Sequence, residues 1–298
     1  MEFENEIDDF LKKKSEKQKI IVIYGPTACG KTGYSLSLAK YLKTDVISTD
    51  SRQIYKFMNI GTGKITDLEM GSIPHHLLDI IDPDRKYSVG EYRKEAVQII
   101  DTISSTGKIP ILCGGTGLYI DSIIYDFDIP KVPADLELRK QLENEAKENG
   151  NDFVYQKLCE IDPEYAKELH PNNVQYVIRA IEVKKLTGKS KKDFRTEKKL
   201  QYDTLFITPY DGKREHLYGT INSRVQQMFE DGLVEEVKKL RMNYSDDCPG
   251  LQTIGYKEVV DYLNNNISLE ECIFQVQQHN RNYAKRQLTW FQKYNKYH

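Results

Sequence analysis

Cysteine is sparse in this chain of 298 residues: five stand far apart, at Cys29, Cys113, Cys159, Cys248 and Cys272. No C-x-x-C pair occurs, so the sequence offers neither a zinc knuckle nor a disulfide framework. Such a thiol pattern fits a reduced protein, and a cytoplasmic location is expected. Long apolar runs are missing as well. None approaches the roughly 20 residues that a membrane span needs, so no membrane association is expected. Residues 1–19 are mostly charged, close on LKKKSEKQK and hold no signal-peptide h-region. They are expected to form a charged, solvated extension or a frayed helix. Net charge is nearly absent too, at −2 from 43 Lys and Arg against 45 Asp and Glu. By its sum alone, the charge would argue against a nucleic-acid partner.

The distribution of charge says more than its sum. Residues 179–199, RAIEVKKLTGKSKKDFRTEKK, carry nine basic side chains against three acidic ones. Residues 272–298 carry five basic side chains and no acid, whereas residues 135–168 hold ten acids against five bases. Clustered basic segments are what contact with a phosphate backbone requires, although a solvated helix face presents the same charges.

The segments KIIVIY (19–24), DVIST (45–49), HLLDII (76–81), KIPILC (108–113) and TLFITP (204–209) read as short buried strands. Helical patterns lie between several of them. Ser88 and Glu91 have capping-box spacing, and Val89, Tyr92, Ala96, Ile99 and Ile103 then recur on one helical face. From about residue 127 strands vanish until TLFITP, and charged helical segments take their place. The expected fold class is α/β: a mostly parallel, P-loop NTPase-like sheet flanked by helices, with an all-helical insertion. The expected division is a core of 20–126 and 200–298, an insertion of 127–199, and the extension 1–19. After residue 213 a stripe of Ile221, Val225 and Met228 marks a helix, and another is expected from Ser268, paired with Glu271.

The strongest motif is GPTACGKT, formed by Gly25, Pro26, Thr27, Ala28, Cys29, Gly30, Lys31 and Thr32. In a G-x-x-x-x-G-K-T loop, successive backbone N–H groups and the following helix N-terminus converge on anionic oxygens. Lys31 would reach the outer phosphate, and the Thr32 hydroxyl would hold Mg²⁺. The pattern fixes a diphosphate or triphosphate with Mg²⁺. It leaves open a hydrolysed nucleotide, a phosphoryl donor or a diphosphate on another molecule. Asp50, at the end of the second strand, belongs to the ligand crevice of an open α/β sheet. A second loop, CGGTGLYI (113–120), leaves another strand with three glycines and Thr116, where glycine could simply make a tight turn.

Taken together, GPTACGKT, STDSRQIY, GTGK, PHHLLDI, GGTGLY, HPNN with RAIEV, GLVEEV, IGYKE and AKRQLTWF resemble the tRNA dimethylallyltransferases, also called isopentenyltransferases. The resemblance runs from about residue 20 to the end. The missing C₂H₂-type zinc pattern likens the chain to the shorter, bacterial form. The resemblance implies that the loop cradles dimethylallyl diphosphate, and that the allyl group moves to the exocyclic amine of the adenosine immediately 3′ of a tRNA anticodon. It implies Asp50 as the base, Thr116 as a group holding the reacting region, and Arg224 as a further cation on the diphosphate. It also implies tRNA contacts from Asp50, Ser51, Arg52 and Gln53, from Thr116 and Arg139, from Gln175, Tyr176, Val177, Ile178 and Arg179, and from Gln252, Thr253, Ile254, Gly255, Tyr256 and Lys257. Arg281 and Lys285, one helical turn apart, would follow the RNA backbone. The insertion would grip the anticodon stem-loop, and a monomer is expected. Two departures from the commonest family pattern are Cys29, where serine is more usual, and Gly63, where alanine is often found. A P-loop nucleotide or small-metabolite kinase is the competing enzyme class, and a non-catalytic RNA-binding module is a third reading.

Overall fold

The computed structural model describes residues 4–125, 135–194 and 199–297. The chain divides into two compact units, Met1–Tyr125 with Leu200–His298, and Asp126–Lys199. In chain order the first unit holds α1 (Glu4–Lys12), β1 (Lys19–Tyr24), α2 (Lys31–Leu42), β2 (Val46–Ser48), α3 (Asp67–Met70), β3 (His75–His76), α4 (Val89–Ser105), β4 (Ile111–Gly114) and α5 (Gly117–Ile124). The second unit follows with α6 (Leu136–Asn149), α7 (Asn151–Ile161), α8 (Pro163–Ala166) and α9 (Val174–Thr187). The first unit resumes with β5 (Asp203–Ile207), α10 (Arg214–Glu230), α11 (Leu233–Arg241), α12 (Tyr256–Leu263) and α13 (Leu269–Phe291). Among the described residues no helix is long and apolar enough to cross a membrane.

The five strands form one parallel sheet in the order β3-β2-β4-β1-β5. Strand β1 shows why its sequence is apolar without interruption. Ile20, Val22 and Tyr24 pack with Tyr92, Ala96 and Ile100 of α4, while Ile21 and Ile23 pack with Leu38 and Ala39 of α2. A strand covered on both faces has no polar side to alternate with. Helix α4 starts on the expected capping box: Ser88 Oγ accepts from the Glu91 amide, and the Glu91 carboxylate accepts from the Ser88 amide at 2.8 Å. In the second unit α6, α7 and α9 close around Leu142, Val154, Leu158, Val177, Ile178 and Ile181.

Two expectations are corrected here. HLLDII is not a strand through residue 81: β3 stops at His76, because Leu77 and Asp79 adopt φ of 62° and 53°. Left-handed backbone at two positions turns the chain out of the ladder, and it rejoins as a bridge between Tyr55 and Ile81. Residues 1–19 are also not simply a solvated extension. Ile7 and Phe10 of α1 are buried against Ile21, Ile23 and Leu38. The ammonium of Lys19 closes that helix by donating to the carbonyls of Phe10, Leu11 and Lys13 at 2.6, 3.0 and 2.5 Å.

Phe57 is another left-handed residue, with φ 65° and its side chain 59% exposed. An L-residue held there costs about 1–2 kcal/mol, of which glycine would recover all but about 0.5–1 kcal/mol of backbone entropy. Phe57→Gly should therefore raise stability by about 0.5–1 kcal/mol, read as a higher denaturant midpoint at unchanged slope. A lower midpoint would mean that contacts of the ring outweigh the strain.

Candidate active site

Strand β1 runs out of the core directly into the phosphate loop. Gly25 takes φ 145°, and a Cβ there would lie 2.8 Å from Cys29 Sγ. Gly30 takes φ 87° as the N-cap of α2, which has no side-chain cap. The first amides of α2 are thus left for an anion, at the positive end of the helix. Lys31 folds over the loop and donates to the carbonyls of Gly25 (3.0 Å) and Pro26 (2.6 Å). Residues Thr27 to Thr32 line a cavity of about 520 Å³ that also takes in Asp50, Gln53, Gly63, Arg224 and Gln287.

The opposite wall comes from the ends of β2 and β4. Thr49 donates its amide to Cys113 O at 2.8 Å and accepts from the Thr116 amide at 3.0 Å. Asp50 Oδ1 accepts from the Arg52 amide at 2.9 Å, an Asx turn that fixes the carboxylate. Thr116 is not a wall of the cavity: its hydroxyl accepts from the Ser51 amide at 3.0 Å and donates to Ser51 Oγ at 3.1 Å. It holds the Asp50 turn from behind. The glycines of the second loop serve close approach rather than a turn. A Cβ on Gly114, Gly115 or Gly117 would lie 2.4 Å from Thr49 Oγ1, 2.2 Å from Gln287 Nε2 or 2.1 Å from the Trp290 ring.

Arg224 reaches the cavity from α10. Burial lowers its pKa, Asp50 opposes that shift, and neighbouring Arg52 adds to it. Its Nη2 donates to Gly63 O at 3.3 Å. A Cβ on Gly63 would fall 1.6 Å from that nitrogen, so alanine there requires the guanidinium to move. Gln53 Nε2 donates to Thr62 O and Gly63 O at 3.4 and 3.3 Å, which fixes the same loop. Arg52 lies over the Tyr283 ring, 4.5 Å from its centre.

The loop around Gly61 is built on a carboxylate that the sequence reading missed. Glu236 of α11 accepts from the amides of Asn59 (3.0 Å), Ile60 (2.9 Å) and Gly61 (3.3 Å), and from the Tyr256 hydroxyl at 2.6 Å. Tyr256 is itself fully buried. Its neighbours Gln252 and Lys257 keep solvent access, while Thr253 and Ile254 are half-buried and Gly255 is buried. Gln287 was missed as well. It had a legible signal: it occupies a place in the α13 stripe of Val276, Ala284 and Phe291, where an apolar residue would be routine.

In the second unit, Val177 and Ile178 are each 1% exposed and belong to the core, so their side chains pack inward. Tyr176 is exposed, with Lys191 Nζ 5.4 Å from its ring centre. Gln175 Nε2 donates to Glu143 at 3.3 Å. Arg139 and Arg179 both bind the buried carboxylate of Glu182. Arg281 of α13 donates to Asn222 Oδ1 at 2.5 Å and is half-buried, so of the pair with Lys285 only the lysine is fully exposed.

Among the described residues no group of three or more His, Cys, Asp or Glu could hold a metal by itself. The cavity offers the Thr32 hydroxyl at the phosphate loop. A single hydroxyl suits Mg²⁺ whose other ligands are phosphate oxygens and water, the habit of an ion that dehydrates reluctantly.

A parallel sheet whose first strand enters a G-x-x-x-x-G-K-T loop, with a carboxylate and a half-buried arginine on the same cavity, defines a P-loop-type enzyme acting on a phosphorylated substrate. The sequence profile of the IPP transferase family matches residues 53–294. A tRNA dimethylallyltransferase of Alkaliphilus oremlandii is 47% identical over 285 residues, covering 95% of this chain and 91% of the relative. Among solved structures, the full-length tRNA isopentenylpyrophosphate transferase of Bacillus halodurans matches at TM-score 0.67 and 45% identity, over 93% of this chain and 87% of that one. A eukaryotic dimethylallyltransferase acting on tRNA matches at TM-score 0.77 and 33% identity, over 92% and 70%. The chain belongs to the IPP transferase family.

Proposed function

We propose that the chain transfers a dimethylallyl group from dimethylallyl diphosphate to the exocyclic amine of the adenosine immediately 3′ of a tRNA anticodon, in the cytoplasm and as a monomer. The observation that carries this reading is that the phosphate loop, Asp50 and Arg224 line one cavity. The names of the relatives support a transferase and give no support to a kinase.

In the reaction the amine nitrogen bonds to the allylic carbon, the carbon–oxygen bond breaks, and diphosphate leaves with the electron pair. Delocalisation of the allyl cation makes that cleavage feasible once the leaving charge is stabilised. Lys31, Arg224 and the amides at the start of α2 supply fixed positive potential where charge develops. Mg²⁺ at Thr32, when bound with the diphosphate, would neutralise more of that charge. The amine is the weaker partner, because its lone pair is shared with the adenine ring. Asp50 orients it by hydrogen bonding and takes its proton as the new bond forms. A base stacked in an anticodon loop cannot reach this cavity, so the adenosine must be flipped out.

Incubation with dimethylallyl diphosphate, Mg²⁺ and tRNA, followed by nucleoside analysis, should yield isopentenyladenosine and diphosphate. Phosphotransfer from ATP without RNA, and no prenylated nucleoside, would return the kinase reading. The second unit is read as the grip on the anticodon stem-loop, through the basic residues of 179–199. tRNA affinity should then fall steeply with rising salt, while affinity for the prenyl diphosphate changes less. Replacing Lys191 and Lys192 with Ala should reduce the log–log salt slope by about 1 to 2, and an unchanged slope would mean that both lysines are only solvated.

A further inference from the structure

Gln287 is a polar residue in an apolar stripe, 5% exposed, and both ends of its amide are engaged. Oε1 accepts from the Thr27 amide of the phosphate loop at 2.8 Å, and Nε2 donates to Gly115 O at 2.9 Å. Gly115 has no side chain to obstruct this contact, since a Cβ would stand 2.2 Å from Nε2. Beyond Gly115 the chain of contacts continues. The Thr116 amide donates to Thr49 O at 3.0 Å, and the Thr116 hydroxyl accepts from the Ser51 amide at 3.0 Å, next to Asp50. One buried amide on the C-terminal helix thus connects the loop that takes the leaving group to the turn that carries the base.

We propose that Gln287 is a positioning residue, setting the diphosphate half of the site in register with the amine-activating half. The inference rests on the transferase reading. Its physical basis is that a displacement of about 1 Å between reacting groups costs on the order of 10²-fold in rate, whereas each substrate can still bind its own half. A glutamine that only filled space would be replaceable by methionine, which has similar volume and forms neither bond. Glutamate accepts from Thr27 N–H in either state, but donates to Gly115 O only when protonated.

The test measures single-turnover prenyl transfer at saturating tRNA and dimethylallyl diphosphate, together with the affinity for each substrate. Gln287→Met should lose on the order of 10²-fold in single-turnover rate, with both affinities little changed. Gln287→Glu should be similarly slow at high pH, and its rate relative to wild type should rise as pH falls and the carboxyl takes up a proton. A near-normal Gln287→Met rate, a variant-to-wild-type ratio flat in pH, or a loss confined to tRNA affinity would each overturn the proposal, the last by making Gln287 an RNA contact. If Gln287→Met does not fold, the pH dependence of the Gln287→Glu ratio decides alone. Absence of transfer by the wild-type chain is a separate result, which removes the transferase reading itself.

Discussion

Asp50→Ala is expected to lower prenyl transfer by roughly 10²- to 10⁴-fold, the usual worth of a general base, with little change in the affinity for dimethylallyl diphosphate or tRNA. The geometry demands a second variant. Asp50 Oδ1 also accepts from the Arg52 amide, so alanine removes an Asx turn together with the base. Asp50→Asn retains an acceptor for that amide but cannot take a proton at neutral pH. Comparable losses in both variants would assign the effect to proton transfer. Near-normal turnover in Asp50→Asn would reduce Asp50 to a turn-former and move the base elsewhere. Arg224 makes a useful control, since Asp50 stabilises its charge. If loss of the Asp50 charge acted mainly by disturbing that arginine, the diphosphate affinity would change, and the base assignment predicts that it does not.

How much of this was legible in the sequence depends on the range of the interaction. The phosphate loop and the Ser88 capping box are local, so a few residues of the right type and spacing specify each of them. The buried strands were visible as apolar runs because both sheet faces are covered: β1 lies where expected, and the ends of β2, β4 and β5 shifted by one to three residues. β3 was overextended because leucine rarely adopts left-handed backbone, so Leu77 gave no sign of it, and one aspartate, Asp79, is a weak sign on its own. The packing of helix α1 on the core was not expected because its charged residues set the average, while Ile7 and Phe10, one turn apart, make the contact. Apart from the Tyr256–Glu236 bond, Glu236 and Gln287 bind partners 172 to 260 residues away, and no window of the sequence contains both ends of such a bond. Gln287 nonetheless left a trace as a polar break in an apolar stripe, whereas Glu236 sits among ordinary surface acids and left none.

The same limit applies to Glu182, whose position in RAIEV reads as one more charge on a basic helix. In the folded second unit it is fully buried, accepting from the Asp135 amide at 2.7 Å and from Arg139 Nε and Nη2, each at 2.8 Å. Arg179 is its third partner. Burial alone would raise its pKa, but the bonds from Arg139, Arg179 and the Asp135 amide outweigh burial and hold it below the ordinary glutamate value. Removing the carboxylate takes from Arg139 and Arg179 the buried partner that they share. Breaking a buried pair in this way costs about 3–5 kcal/mol. The lower end applies here, because Arg139 is 33% exposed and water can relieve part of its charge. Glu182→Ala should therefore destabilise the second unit by about 3 kcal/mol, on the order of 10²-fold faster hydrogen exchange in α6, α7 and α9. Amides of β1 and β4 should keep their protection. Acid should act in the same direction on the wild type: a depressed folded-state pKa gives stability that is complete above the unfolded value and is lost as pH falls through the folded one. Protection of α6, α7 and α9 should accordingly fall in acid in the wild type, and more weakly in Glu182→Ala, which has no carboxylate to protonate. Unchanged exchange in the variant would mean that Arg139 and Arg179 find water as good a partner as Glu182. Glu182 would then hold neither arginine back from the RNA contacts that the family resemblance implied.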